Sequence, residues 1–197
     1  MRLRSVLAVL TAACVSLGLV ATAIAKHGSP VRHLRLQVGG LDHGQRFGID
    51  QVYDQLGCHG GNMSPQLLIS GVPKAAKSLA ITIFDPDAPT QSGWWHWLVY
   101  DLPPGTTEIK EDASKTGLPG DQEHQPKQGP NDFGSNVYGG VCPPAGSLAH
   151  HYRVTIWALK VESLALLGAK GGSAALIDYL IEGNAIAHRT VIVRYGG

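Results

Sequence analysis

SLAITIFDPDAPTQSGWWHWLVYDLP, Ser78 to Pro103, decides how the rest of the chain is read. Its opening, Ser78–Phe84, is apolar or hydroxylic throughout, with Ile81, Thr82 and Ile83 β-branched. A short unbroken run of that kind reads as a central strand covered on both faces. Pro86 ends it, because proline has no N–H to give to a ladder. WHWLVYDL, Trp95–Leu102, is the next strand. A period of two places His96, Leu98 and Tyr100 on one face and Trp95, Trp97 and Val99 on the other. Between the two runs stand Asp85 and Asp87, one residue apart and each close to a proline.

Outward from this pair the pattern repeats. His150–Lys160, HHYRVTIWALK, is a third good strand. His150, Tyr152, Val154 and Ile156 share one face, and His151, Arg153, Thr155 and Trp157 the other. LLIS, Leu67–Ser70, is a short strand stopped by Gly71-Val72-Pro73, and the glycine-rich CHGGNMSP before it is a loop. Val31–Val38 reads as an edge strand, Gly44–Asp54 as a further one, and Val191–Tyr195 as the last. Pro103–Asn136 shows little periodicity and reads as a long surface loop. Ser173 is the expected N-cap of a helix whose buried stripe is Ala174, Leu176, Ile177, Leu180 and Ile181, with Gly183 weakening or kinking it. The sum is a β-sandwich-like body with few helices, without internal repeats.

A chain of 197 residues suits one domain, and 44% hydrophobic against 16% charged residues supports a packed core. Residues 1–25 are set apart from it. Arg2 and Arg4 precede an apolar run from Val6 to Ala25 that closes on Ala23-Ile24-Ala25, the pattern of a signal peptide cleaved after Ala25. An uncleaved membrane anchor is the alternative reading. Cys14 lacks the leucine three positions before it that a lipoprotein site carries. The domain is then 26–197, periplasmic or secreted. Without the leader, Lys and Arg fall from 16 to 14 against 15 acidic residues, a net charge of −1. That balance is no footprint for nucleic acid or an anionic membrane surface. Two cysteines stay, Cys58 and Cys142, and in an exported chain they read as one disulfide rather than as two buried thiols.

Three separated segments deliver polar groups from strand ends: Asp85 and Asp87 after the first strand, His96 at the start of the second, His150 and Tyr152 at the start of the third. Antiparallel neighbours bring one strand's end beside the next strand's start, so these groups converge at one rim, with Trp94, Trp95 or Trp97 as walls. Gly139 and Gly140 permit positive φ and would let backbone N–H groups approach an anion. A small phosphate-type anion fits that inventory. Each residue also has a plain reading: aspartates beside prolines form turns, tryptophans at alternate positions form core, and a histidine among them is a satisfied core residue. Asp85, Asp87, His96 and His150 are acceptable zinc ligands, but no HExxH or CxxC spacing supports a metal. No GxSxG nucleophile occurs.

DPDAP, GWWHWLVYDLP, NDFG and YGGVCPPAG followed by HHY, in this order and spacing, resemble the phosphatidylethanolamine-binding protein family, in its bacterial Raf kinase inhibitor-like branch. CHGGNMSP matches that branch as well, and the resemblance covers about residues 33 to 195. It implies two antiparallel sheets with a few peripheral helices. It also implies an anion pocket for phosphate or phosphorylated head groups, formed by Asp85, Asp87, Pro89, His96, Gly140, His150 and Tyr152. The implied pocket binds and does not catalyse, and it needs no cofactor. Eukaryotic relatives regulate kinases and some members inhibit serine proteases, so inhibition of such a protein partner, through the loop Pro104–Asn136, is the second expectation. A metal-assisted hydrolase is the third. A membrane enters only as a source of lipid head groups. The chain departs from the family at His151, where arginine is common, at Val141 for proline, at Asp101 for asparagine and at Val193 for glycine.

Overall fold

The computed structural model describes residues 33–39, 41–42 and 45–196. The signal-peptide and anchor readings of the first 25 residues, Cys14 and the start of the first expected strand lie outside them. Ten strands run β1 Arg35–Val38, β2 Leu41–Asp42, β3 Arg46–Phe47, β4 Leu67–Ser70, β5 Ser78–Asp85, β6 Trp94–Leu102, β7 Glu108–Ile109, β8 Lys127–Gln128, β9 His150–Leu159 and β10 Ala185–Tyr195. Two α-helices, α1 Ala113–Thr116 and α2 Ala174–Asn184, complete the set with two 3₁₀ turns. One sheet has the order β1-β4-β7; the other has seven strands in the order β2-β3-β10-β9-β5-β6-β8. Among these strands pairing is antiparallel apart from the β3–β10 bridge; Val52 and Val141 add an isolated parallel bridge. The fold is mainly β, two sheets with few helices.

β5 lies between β9 and β6, and both its faces are covered. Ile81 and Ile83 join Trp97, Val99, Tyr152, Val154 and Ile156 in the core between the sheets, against Leu36, Leu67 and Ile69 of the smaller one. Ala80 points the other way, to a second core with Leu98, Tyr100 and Leu159 under Ile177 and Ile181 of α2. This two-sided burial is why Ser78–Phe84 carries no polar alternation.

β6 departs from the expected alternation. Ile83 pairs with Trp97 and Phe84 with Trp95, so the ladder skips His96. A β-bulge leaves one residue unopposed and turns the side chains before it. Trp95 therefore packs on the α2 side with Leu98 and Tyr100, while His96 sits edge-on to Tyr152 at 5.2 Å between ring centres, on the inter-sheet side. A second slip falls at Asp101, whose φ is 61°. Aspartate and asparagine tolerate that left-handed backbone better than most residues. The Asp101 carboxylate also accepts from Ser163 Oγ at 2.7 Å and from the Leu164 N–H at 2.6 Å, so the acid anchors the turn that leads to α2.

Four other expectations change. The strand expected over Gly44–Asp54 is two residues of β3 followed by the 3₁₀ turn Ile49–Gln51. The carbonyls of Ile49, Asp50, Val52 and Tyr53 are taken by the N–H groups of Gly61, Met63, Asn62 and Gly60, which leaves only an isolated parallel bridge between Val52 and Val141 there. The loop Pro103–Asn136 contains β7, α1 and β8, and its Ile109 is fully buried. Two-residue strands carry no period to read. On α2, Ser173 Oγ caps the Leu176 N–H at 3.3 Å as expected, but Leu176 itself is exposed and the helix passes Gly183 to end at Asn184. β10 starts six residues before the expected Val191, pairing along nearly all of β9; its polar His188, Arg189 and Thr190 hid it.

Candidate functional site

The ends of β5, β6 and β9 meet at a cavity of about 170 Å³. Asp85, Pro89, His96, His150 and Tyr152 all line it. Asp85 is buried, and both its oxygens are occupied. Oδ1 accepts the Asp87 N–H at 2.8 Å, and Oδ2 accepts His150 Nδ1–H at 2.7 Å. The carboxylate therefore fixes the His150 ring and leaves Nε2 as its free nitrogen.

His96 is held from the other side. Its Nδ1 lies 2.7 Å from the Gly139 carbonyl, which can only accept, so Nδ1 carries the proton. Burial holds the imidazole below its ordinary pKa, against the opposing pull of the Gly139 carbonyl and of Asp85. Burial, with the nearby charge of Asp85, raises the Tyr152 hydroxyl far above its ordinary value, so it stays a donor. Three buried atoms at the cavity have no hydrogen-bond partner among the described residues: His96 Nε2, the Tyr152 hydroxyl and Trp94 Nε1.

Two expected site residues stand outside the lining. Asp87 turns outward, where Oδ2 accepts both the His151 N–H and His151 Nδ1–H at 2.8 Å. Burial would raise its carboxyl, but these bonds hold it below the ordinary aspartate value. His151, standing where arginine is common, thus still faces a carboxylate. Gly140 packs behind the cavity, its N–H bonded to Asn62 Oδ1 at 2.7 Å, and the Gly139 N–H is bonded to the His96 carbonyl at 3.0 Å. Neither glycine has positive φ. They are required for close approach instead: a Cβ on Gly139 would stand 2.2 Å from the Phe133 ring, and one on Gly140 2.4 Å from the Tyr53 nitrogen. The expected N–H cradle is therefore absent at these two residues. Val141, in place of proline, donates its N–H to the Gln51 carbonyl at 3.1 Å, a bond proline could not make.

Of the three candidate tryptophan walls, Trp94 serves; Trp95 and Trp97 lie in the two cores. Sequence reading missed Phe133 as a wall, although it lies inside NDFG. The signal was Asn131, whose Oδ1 accepts from the Phe133 and Ser135 N–H groups, forming the turn that sets the ring 5.4 Å from His96. Cys58 and Cys142 form the disulfide, with Cα atoms 6.0 Å apart. Cys142 and the following Pro143 also line the cavity. Among the described residues no three His, Cys, Asp or Glu side chains gather to hold a metal ion.

A second hollow, about 250 Å³, lies on the far side of the large sheet between Trp95, Trp157 and the α2 carboxylates Asp178 and Glu182. Burial, then Glu182, pushes Asp178 up to about 6. A carboxyl raised in the folded state lowers stability as pH climbs from its unfolded value through its folded one. Asp178→Asn is expected to raise stability by about 1 kcal/mol at neutral pH, after allowance for the group's partial exposure. The gain should vanish below about pH 4. Urea unfolding at both pH values checks it, and an equal gain at both would assign the effect to something other than the charge.

The phosphatidylethanolamine-binding protein family model matches residues 41–196. The chain belongs to this family. Similar members include the UPF0098 protein YbcL of Escherichia coli K12, 44% identical over 147 residues, covering 73% of this chain and 77% of that protein. The UPF0098 protein YbhB of the same organism is 32% identical, covering 82% and 99%. The crystal structure of E. coli YbcL, described as a new member of the mammalian PEBP family, superposes with a TM-score of 0.77 at 39% identity over 84% of this chain and 99% of that one. A structure of the homologue CT736 from Chlamydia trachomatis gives 0.62 at 26% identity, with the same coverage. The match spans every strand that reaches the cavity. In this member of the family, five of the seven residues named from the family resemblance are neighbours in one lining.

Proposed function

We propose that this protein is an exported, non-catalytic binding protein whose cavity takes a small phosphate-type anion, either free or as a phosphorylated head group. The observation that carries the reading is the set of buried, unpartnered polar atoms. A buried polar group without a partner costs on the order of 1–3 kcal/mol, and three around one hollow suit a ligand that satisfies them. Tyr152 O–H and Trp94 N–H are donors by nature, and His150 offers Nε2 from a ring locked by Asp85. The lining's cysteine is in a disulfide and its Thr90 hydroxyl donates to the Gly93 carbonyl, which favours binding over covalent chemistry. The leader-like residues 1–25 and the disulfide support export.

Calorimetry with inorganic phosphate tests the assignment. His150→Ala removes the ring that Asp85 holds with Nε2 free at the cavity and is expected to weaken binding by about tenfold or more. Equal affinity in the two proteins would remove the cavity from the reading.

A further inference from the structure

We infer that the cavity selects an oxyanion that brings a hydrogen of its own, such as inorganic phosphate or a singly ionised phosphate monoester, over oxyanions that have none, such as sulfate or a phosphate diester. The inference rests on the anion reading above and names which anions the site takes.

The argument starts at the Gly139 carbonyl. It has only lone pairs to offer, so the 2.7 Å contact fixes the hydrogen of His96 on Nδ1. A neutral imidazole donates from one nitrogen and accepts at the other, so Nε2 presents a lone pair. His96 is 2% exposed, and Nε2 has no partner among the described residues. A proton there would create an imidazolium between the rings of Phe133 and Tyr152, at 5.4 and 5.2 Å. The carboxylate that would best balance it, Asp85, already has one oxygen on His150 and the other on the Asp87 N–H. The downward displacement of the His96 pKa agrees with this geometry.

The cavity therefore mixes donors, at Tyr152 and Trp94, with a buried, unpartnered acceptor at His96 Nε2, and His150, whose Nδ1–H is taken by Asp85, adds its own Nε2. An oxygen of sulfate set against His96 Nε2 opposes two lone pairs. A P–OH in the same place makes a hydrogen bond. Sulfate and phosphate are both compact tetrahedral anions, so fit alone does not separate them. Sites built to bond a ligand hydroxyl reject analogues lacking it by up to about 10⁴–10⁵. The phosphate of an intact phospholipid is a diester and has no O–H to give.

The test is calorimetry on the full mature chain with inorganic phosphate, sulfate and dimethyl phosphate near neutral pH, where phosphate keeps at least one O–H. Phosphate is expected to bind about a hundredfold or more tighter than the other two. His96→Gln can present an amide N–H in place of the lone pair, and should bring sulfate to within a few-fold of phosphate. In case that variant does not fold, the ¹⁵N resonance of Nε2 in the wild-type phosphate complex gives a second readout, expected to be that of a non-protonated nitrogen. Sulfate binding within about threefold of phosphate, or a protonated Nε2 in the complex, overturns the selectivity while leaving the anion site standing. Absence of binding by all three anions overturns both.

Discussion

Serine at both Cys58 and Cys142 is expected to lower stability by about 4 kcal/mol in urea unfolding. The bond closes a loop across a sequence separation of 84 residues, which contains β4 to β8 and the whole β5–β6 hairpin. Removing so long a constraint frees the unfolded chain far more than the folded one. The loss should reach the site as well. Cys142 and Pro143 line the cavity, and Leu56, two residues before Cys58, lines it too. Phosphate binding should weaken in the variant and in wild type under strong reductant alike. A stability loss under about 1 kcal/mol would show that the hydrogen bonds between residues 49–53 and the Gly60–Met63 loop hold this region without the bond.

Asp85→Ala is the second large effect. It leaves the His150 Nδ1–H and the Asp87 N–H without acceptors in a site where Asp85 is 3% and His150 6% exposed. One buried and one part-buried donor deprived at once cost about 3 kcal/mol. Binding should fall by about tenfold or more, because His150 loses the group that orients it. Asp85→Asn keeps one carbonyl oxygen and should recover part of the stability. The direction of the binding change is the discriminating result. If Asp85 acted on an anion chiefly by repulsion, its removal would tighten binding, and calorimetry on the alanine variant separates the two.

Much of this was open to reading from the sequence because strands of moderate length carry a strong period. β5, β6 and β9 were placed to within a residue or so, and once they pair antiparallel their ends must meet, which is how Asp85, His96, His150 and Tyr152 become neighbours. The faces of β9 followed simple alternation. Those of β6 did not, since the residue that slips out of register at His96 leaves no mark in the pattern of apolar and polar residues. Gly139 and Gly140 drew attention for the right permissiveness but the wrong use. What they allow is contact with Phe133 and with the Gln51–Tyr53 backbone, a long-range matter that no local motif states. Phe133 itself reaches the cavity from a segment without period, and β7 and β8 exist only because longer strands offer them an edge.

The slip at His96 has a consequence for any redesign of this protein. Strand β6 serves two masters, sending indoles to opposite layers and an imidazole to the cavity within three consecutive positions. Deleting a single residue between Trp94 and Trp97 would restore a regular ladder and, in doing so, rotate the strand's tip by half a turn, burying the wrong groups on each side. Grafting this cavity onto another sandwich therefore requires carrying the irregularity along with the side chains.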